Sequence, residues 1–189
     1  MLLRPVSLGL RAVQFLCAVT VLGLAADMIK DQVVGSPPVT TRYSTFTGGF
    51  GMIVGGVGAV CAFVTFIPDL VPIVLDALAG LLFLGGGIAW AYGLRKTANC
   101  TNYDEMLENG LLNRGTVTVD GEKGYGVVRP DDDAEAIARR LRDNCRRAQA
   151  DQILQFLCFG IAVALVALAF LQKRYAESPG RARKGTIIA

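Results

Sequence analysis

The sequence predicts an all-α membrane protein, a bundle of four transmembrane helices with one large polar loop between the third and the fourth. Three observations lead there. The 189 residues are 52% hydrophobic and only 19% charged, whereas soluble chains carry about a quarter charged residues. The shortfall is local: long charge-free runs alternate with charged ones, and a helix needs about 20 apolar residues to cross a hydrocarbon core ~30 Å thick. Two cysteines, Cys100 and Cys145, bracket the polar loop. A chain of this length holds one small bundle and leaves no room for a second globular domain.

The first span is expected at 6–29, interrupted only by Arg11 and Asp27 near its ends. Its basic start invites a signal-peptide reading, but signal cores are only ~7–15 residues long, so a retained helix is preferred. A connector from Lys30 to Thr47 follows, and Ser36-Pro37-Pro38 with a hydroxyl-rich run reads as an exposed turn. The second span is expected at 48–67 and the third at 70–94, with Pro68-Asp69 as a tight hairpin between them. Prolines are tolerated at helix ends and in first turns, as at Pro68 and Pro72. Trp90 and Tyr92 close the third span as an amphipathic pair at headgroup depth.

The loop, 95–150, is expected to carry a β-hairpin. Thr116 to Val119, the turn dipeptide Asp120-Gly121 and Tyr125 to Val128 alternate β-branched residues around a turn. After Pro130 a charged helix is expected to run unbroken into the fourth span, 151–172. Asp131 to Asp133 cap it, and Glu135–Arg139, Arg139–Asp143 and Asp143–Arg147 are spaced as i,i+4 pairs. The membrane domain thus covers 1–175, and 176–189 reads as a basic cytosolic tail.

Charge and composition exclude several functions. A net charge of +3, with basic residues beside the spans and not interleaved with aromatics, does not describe a nucleic-acid binder. The chain has no histidine, which removes Ser/His and Cys/His nucleophilic pairs and imidazole metal ligation. The Gly121–Gly126 spacing matches neither the dinucleotide fingerprint nor the Walker A loop. No cofactor, metal or catalytic residue is expected.

Orientation is ambiguous from charge alone. Arg4, Arg11 and five tail cations (Lys173, Arg174, Arg181, Arg183, Lys184) favour both termini inside, but Arg95, Lys96 and the arginines at 139–147 crowd the opposite side. Two adjacent helix ends bring Cys100 and Cys145 within reach of a disulfide. That bond needs an oxidising compartment and places the loop outside and the termini in the cytosol; the rival is two free thiols in a cytosolic loop. Cys17, Cys61 and Cys158 lie in apolar spans and read as small packed side chains. Asn99-Cys100-Thr101 matches the glycosylation pattern, a weak signal so close to a span.

Two features invite function. Asp76 is an ionisable group about one turn inside the third span, where charge is costly and marks a site by default; a structural bond to a neighbouring helix is the competing reading. Glycines crowd the second and third spans, and Gly51, Gly55, Gly80 and Gly86 are assigned to close helix packing. The faces left over suit self-association or contact with sterols and sphingolipids.

Leu75-Asp76, the exit Gly93-Leu94-Arg95 to Asn99-Cys100, the entry Arg11-Ala12-Val13-Gln14-Phe15-Leu16 and above all Cys145-Arg146-Arg147-Ala148-Gln149-Ala150 resemble the fungal MARVEL-domain tetraspans of the non-classical export protein family. The resemblance covers most of the membrane portion. It implies a MARVEL-like four-helix bundle in the plasma membrane with cytosolic termini, association with eisosomes and their proteins, and responses to sphingolipid status. It brings no catalytic residues, and the chain departs from it in a longer loop.

The reading is therefore a membrane organiser and not an enzyme. It shapes or partitions the plasma membrane as a homo-oligomer in contact with sphingolipid, sterol and anionic inner-leaflet lipids. Its rivals are an accessory subunit of a larger membrane complex and a small transporter or channel using Asp76.

Overall fold

The computed structural model describes residues 3–63, 70–97, 99–119, 122–129 and 132–177. Its elements are α1 (Leu3–Lys30), α2 (Val39–Phe63), α3 (Leu70–Leu94), α4 (Tyr103–Glu108), β1 (Thr116–Val119), β2 (Glu122–Tyr125) and α5 (Ala134–Glu177). Four stretches, Pro5–Lys30, Val39–Cys61, Leu70–Leu94 and Ala134–Arg174, are helices long and apolar enough to cross a membrane. The four-span all-α architecture expected from the sequence is present.

The helices close into a ring: α1 packs on α2 and α5, and α3 packs on α5 and α2. Their outward faces are apolar too. Leu16, Ile53, Leu81 and Val163 are all exposed, as a bundle solvated by lipid requires. Between the helices, packing depends on small residues, because lipid offers no hydrophobic drive for association. A Cβ on Gly51 would overlap the Phe83 ring, and one on Gly48 would press the Leu22 backbone. A Cβ on Gly55 would lie 3.3 Å from the Phe15 backbone and one on Gly80 3.3 Å from the Ala162 side chain, both tighter than ordinary contact.

The helix α2 begins at Val39, nine residues before the expected 48, so the hydroxyl-rich run is helix and not an exposed turn. Pro37 and Pro38 precede the first turn, where proline's missing N–H costs nothing. The hydroxyls then bond backward along the helix, Thr45 to the Thr41 carbonyl at 3.1 Å and Thr47 to that of Ser44 at 3.0 Å. The expected Pro68-Asp69 hairpin lies outside the described residues.

With 44 residues α5 is about 66 Å long, twice a hydrocarbon core, so its first half stands clear of the membrane. Asp133 Oδ1 accepts the Ala136 N–H at 2.7 Å, the expected N-cap. The expected i,i+4 ion pairs do not form among the described residues. Arg140 turns instead to Asp132, and Arg147 reaches Asp27 at 2.7 Å and Asp31 at 3.3 Å.

Against this projecting half folds a small dome. Met106, Leu112, Val127, Leu141, Cys145 and Ala148 form its core, continuous at the base with Met28, Trp90 and Leu94 of the spans. Cys100 and Cys145 are joined in a disulfide with a Cα–Cα distance of 5.7 Å. The hairpin pairs Val119 with Glu122 and Thr116 with Tyr125. Its second strand is Glu122–Tyr125 and not Tyr125 to Val128, because Gly126 to Val128 turn inward. Gly126 N–H bonds Gly115 at 2.9 Å, Val127 N–H bonds Asn113 at 3.1 Å, and the Val127 side chain joins the core. The turn residues Asp120 and Gly121, like Pro130 and Asp131, lie outside the described residues. Sequence reading missed α4 altogether; at six residues it shows no helical period.

Candidate functional site

Two buried polar centres lie inside the bundle, one toward each end. The first is built on Asp76. From Leu70 the chain rises about 9 Å to Asp76, and from Leu3 it rises about 12 Å to Arg11, so the two meet at similar depth from the terminal side. Arg11 Nη2 donates to Asp76 Oδ2 at 2.9 Å and Nη1 to Oδ1 at 3.3 Å, a two-pronged pair in which both residues are buried. The guanidinium passes α2 at Gly58, where a Cβ would collide with it. Gln14, one turn on from Arg11, is buried beside the pair. Its amide completes no hydrogen bond among the described residues.

The second centre is toward the loop side. Ser44 Oγ accepts two hydrogen bonds, from Trp90 Nε1 and from Gln155 Nε2, each 2.7 Å long. Gln155 Nε2 also donates to Asp151 Oδ2 at 3.3 Å. Gly86 makes this possible, because a Cβ there would occupy the place of Gln155 Oε1. Trp90 is therefore fully buried and does not sit at the headgroups as expected. Its indole N–H needs an acceptor, and a hydroxyl inside the bundle supplies one. Tyr92 alone takes the interfacial position, 65% exposed, with the Arg95 guanidinium 4.1 Å above its ring.

The two centres are complementary in the ring of helices. Arg11–Asp76 ties α1 to α3 across one diagonal, and Ser44–Gln155 ties α2 to α5 across the other. Neither diagonal has extensive backbone packing of its own.

Where the bundle meets the dome, Arg114 is buried with a left-handed backbone (φ 62°) that only glycine and a few polar residues adopt readily. It donates to Asn144 Oδ1, and its Nη2 lies 3.5 Å from Asp31. Burial lowers its pKa from the ordinary value, and Asp31 opposes that shift.

Of the cations assigned to the tail, Lys173 and Arg174 are exposed at the end of α5; Arg181, Arg183 and Lys184 lie outside the described residues. Asn99 is exposed just ahead of the disulfide. Cys17, Cys61 and Cys158 are free, and only Cys158 is fully buried. Among the described residues no three His, Cys, Asp or Glu side chains gather as metal ligands. The sequence showed both Arg11 and Asp76 but not that they meet; their matched depth was the available signal.

On the lipid-facing side of α1 and α2, Phe15, Met52, Ile53, Gly56, Val57 and Val60 line an apolar groove of about 550 Å³. Gly56 leaves it open, with nothing within 4 Å of where its Cβ would be.

Residues 3–168 match the family model MARVEL, the membrane-associating domain, and the chain belongs to this family. The domain is membrane-associating and linked to membrane microdomains. No curated protein and no solved structure matches the chain.

Proposed function

We propose that this MARVEL chain is a plasma-membrane tetraspan of the eisosome type, with cytosolic termini. It organises or shapes microdomains by associating with its own copies and by contacting sphingolipids and sterols. The observation that carries this reading is the apolar groove at Gly56. Inward glycines are consumed by packing, whereas Gly56 leaves a smooth hollow on the lipid-facing side of the ring. A flat sterol face or a saturated chain fits such a surface better than a kinked one.

The disulfide supports the orientation, since such a bond persists in an oxidising compartment. With the dome outside, the basic tail faces anionic inner-leaflet lipids. The ion-handling rival for Asp76 is disfavoured by Arg11, which occupies both carboxylate oxygens.

The test is partition in giant vesicles with coexisting sterol/sphingolipid-rich and sterol-poor phases. The wild-type chain should concentrate in the rich phase, and Gly56→Leu, which fills the groove, should lose that preference. Equal distribution of the wild type would contradict the reading.

A further inference from the structure

A second groove, of about 440 Å³, opens where α3 leaves the membrane, between Tyr92, Arg95 and Lys96 on one wall and Glu105, Glu108 and Leu111 on the other. Its walls are fixed. Asn109 Nδ2 donates to the Gly93 carbonyl at 3.0 Å and to Thr97 Oγ1 at 2.8 Å, and Leu111 packs onto Gly93, where a Cβ would displace it. Glu105 and Glu108 are three residues apart on α4 and so share a face.

The four charged residues are exposed. Among the described residues none is engaged in an ion pair, with each other or elsewhere. Two unpaired cations and two unpaired anions thus face a single hollow. Arg95, stacked on the outward-facing Tyr92, is held at the interface. A wholly anionic ligand would meet Glu105 and Glu108, and a wholly cationic one would meet Arg95 and Lys96. A ligand with both charges, one end anchored in hydrocarbon, satisfies all four.

We propose that this groove binds the zwitterionic headgroup of a phosphocholine lipid from the leaflet on the loop side. The phosphate lies toward Arg95 and Lys96 and the quaternary ammonium toward Glu105 and Glu108, with the chains passing down beside Tyr92. The inference deepens the lipid-contact reading above and rests on it.

The experiment uses the full-length chain reconstituted in vesicles of equal phosphatidylcholine and phosphatidylglycerol, then extracted in mild detergent. Every arm, the otherwise wild-type chain included, carries glutamine at Lys173, Arg174, Arg181, Arg183 and Lys184, so that anionic lipid gathered by the tail does not mask the groove. Retained lipid is quantified by mass spectrometry. The wild type should retain phosphatidylcholine in preference. Glu105→Gln with Glu108→Gln should reduce that preference roughly tenfold, the scale of losing carboxylate–ammonium attraction at a partly screened surface, since the choline group has no N–H to donate. Arg95→Gln with Lys96→Gln should lower retention of both lipids, and Asp104→Asn, outside the groove, should change neither. These side chains are exposed, and an intact disulfide with unchanged emission from Trp90 verifies the fold of each variant. Retention with an unaltered preference in the glutamate variant overturns this inference and leaves the broader reading standing. A wild type that retains no lipid above the bulk ratio overturns it as well, whereas the broader reading stands or falls by the partition experiment, whose vesicles contain sterol and sphingolipid.

Discussion

Arg11 and Asp76 hold each other across the diagonal of the helix ring, two nitrogens on two oxygens, both buried inside the bundle. Such a pair is weak evidence of net stability, because desolvating both charges offsets much of their attraction. Its consequence is specificity. Only the arrangement that brings Gly58, Arg11 and Asp76 to one depth leaves no charge alone in hydrocarbon.

Breaking this pair from one side should therefore cost far more than removing it. Arg11→Met or Asp76→Leu alone should destabilise the bundle by about 3–5 kcal/mol. The double variant should recover most of that loss. Unfolding in mixed detergent, followed by helical circular dichroism, measures the cycle; additive losses would show that the two residues act independently.

The node at Ser44 is open to a direct optical test, because Trp90 is the only tryptophan in the chain. Ser44→Ala leaves the indole N–H without its acceptor and the Gln155 amide with Asp151 alone, a loss of about 1–3 kcal/mol for the buried group stranded. The emission of Trp90 should shift. Thr45→Ala, which removes only a bond back to Thr41, should leave emission unchanged.

How legible all this was in the sequence depends on which interactions are local. Spans announce themselves by composition, and α5 by the absence of any proline from Ala134 to Glu177. The pairing of Cys100 and Cys145 was legible because the two bracket the polar loop, although Cys145 lies within α5 and not past a helix end. Trp90 was misplaced because its neighbour Tyr92 has the same amphipathic character, and only the fold reveals that Ser44 faces one and lipid the other. The start of α2 was misjudged because Thr, Tyr and Ser favour turns until a helix lets the hydroxyls bond backward. The Arg147 pairing with Asp27 and Asp31 joins residues more than a hundred positions apart, which no i,i+4 rule anticipates.

The disulfide closes a stretch with a sequence separation of 45, and in the chain-entropy model its removal costs about 4 kcal/mol. Replacing both Cys100 and Cys145 by serine should loosen the dome and spare the spans. Limited proteolysis should then cut between Thr101 and Asn144 while the four helices stay protected. Unchanged protection of the dome would mean that its core of Met106, Leu112 and Leu141 suffices without the bond.

The tail should act by charge alone. Replacing Lys173, Arg174, Arg181, Arg183 and Lys184 by glutamine should weaken recruitment of anionic lipid around the reconstituted chain by about 1 kcal/mol per cation near the surface. The effect should fade as salt is raised. Equal recruitment by the variant and the wild type would reject the tail's role.

The claim that this bundle organises membrane through its own copies and its lipid-facing groove is met most directly by weighing it. The full-length chain, released from membrane in mild detergent, should give a native mass of several identical copies with sterol or sphingolipid attached. A single copy without lipid, or a fixed complex with a different protein, would contradict the account.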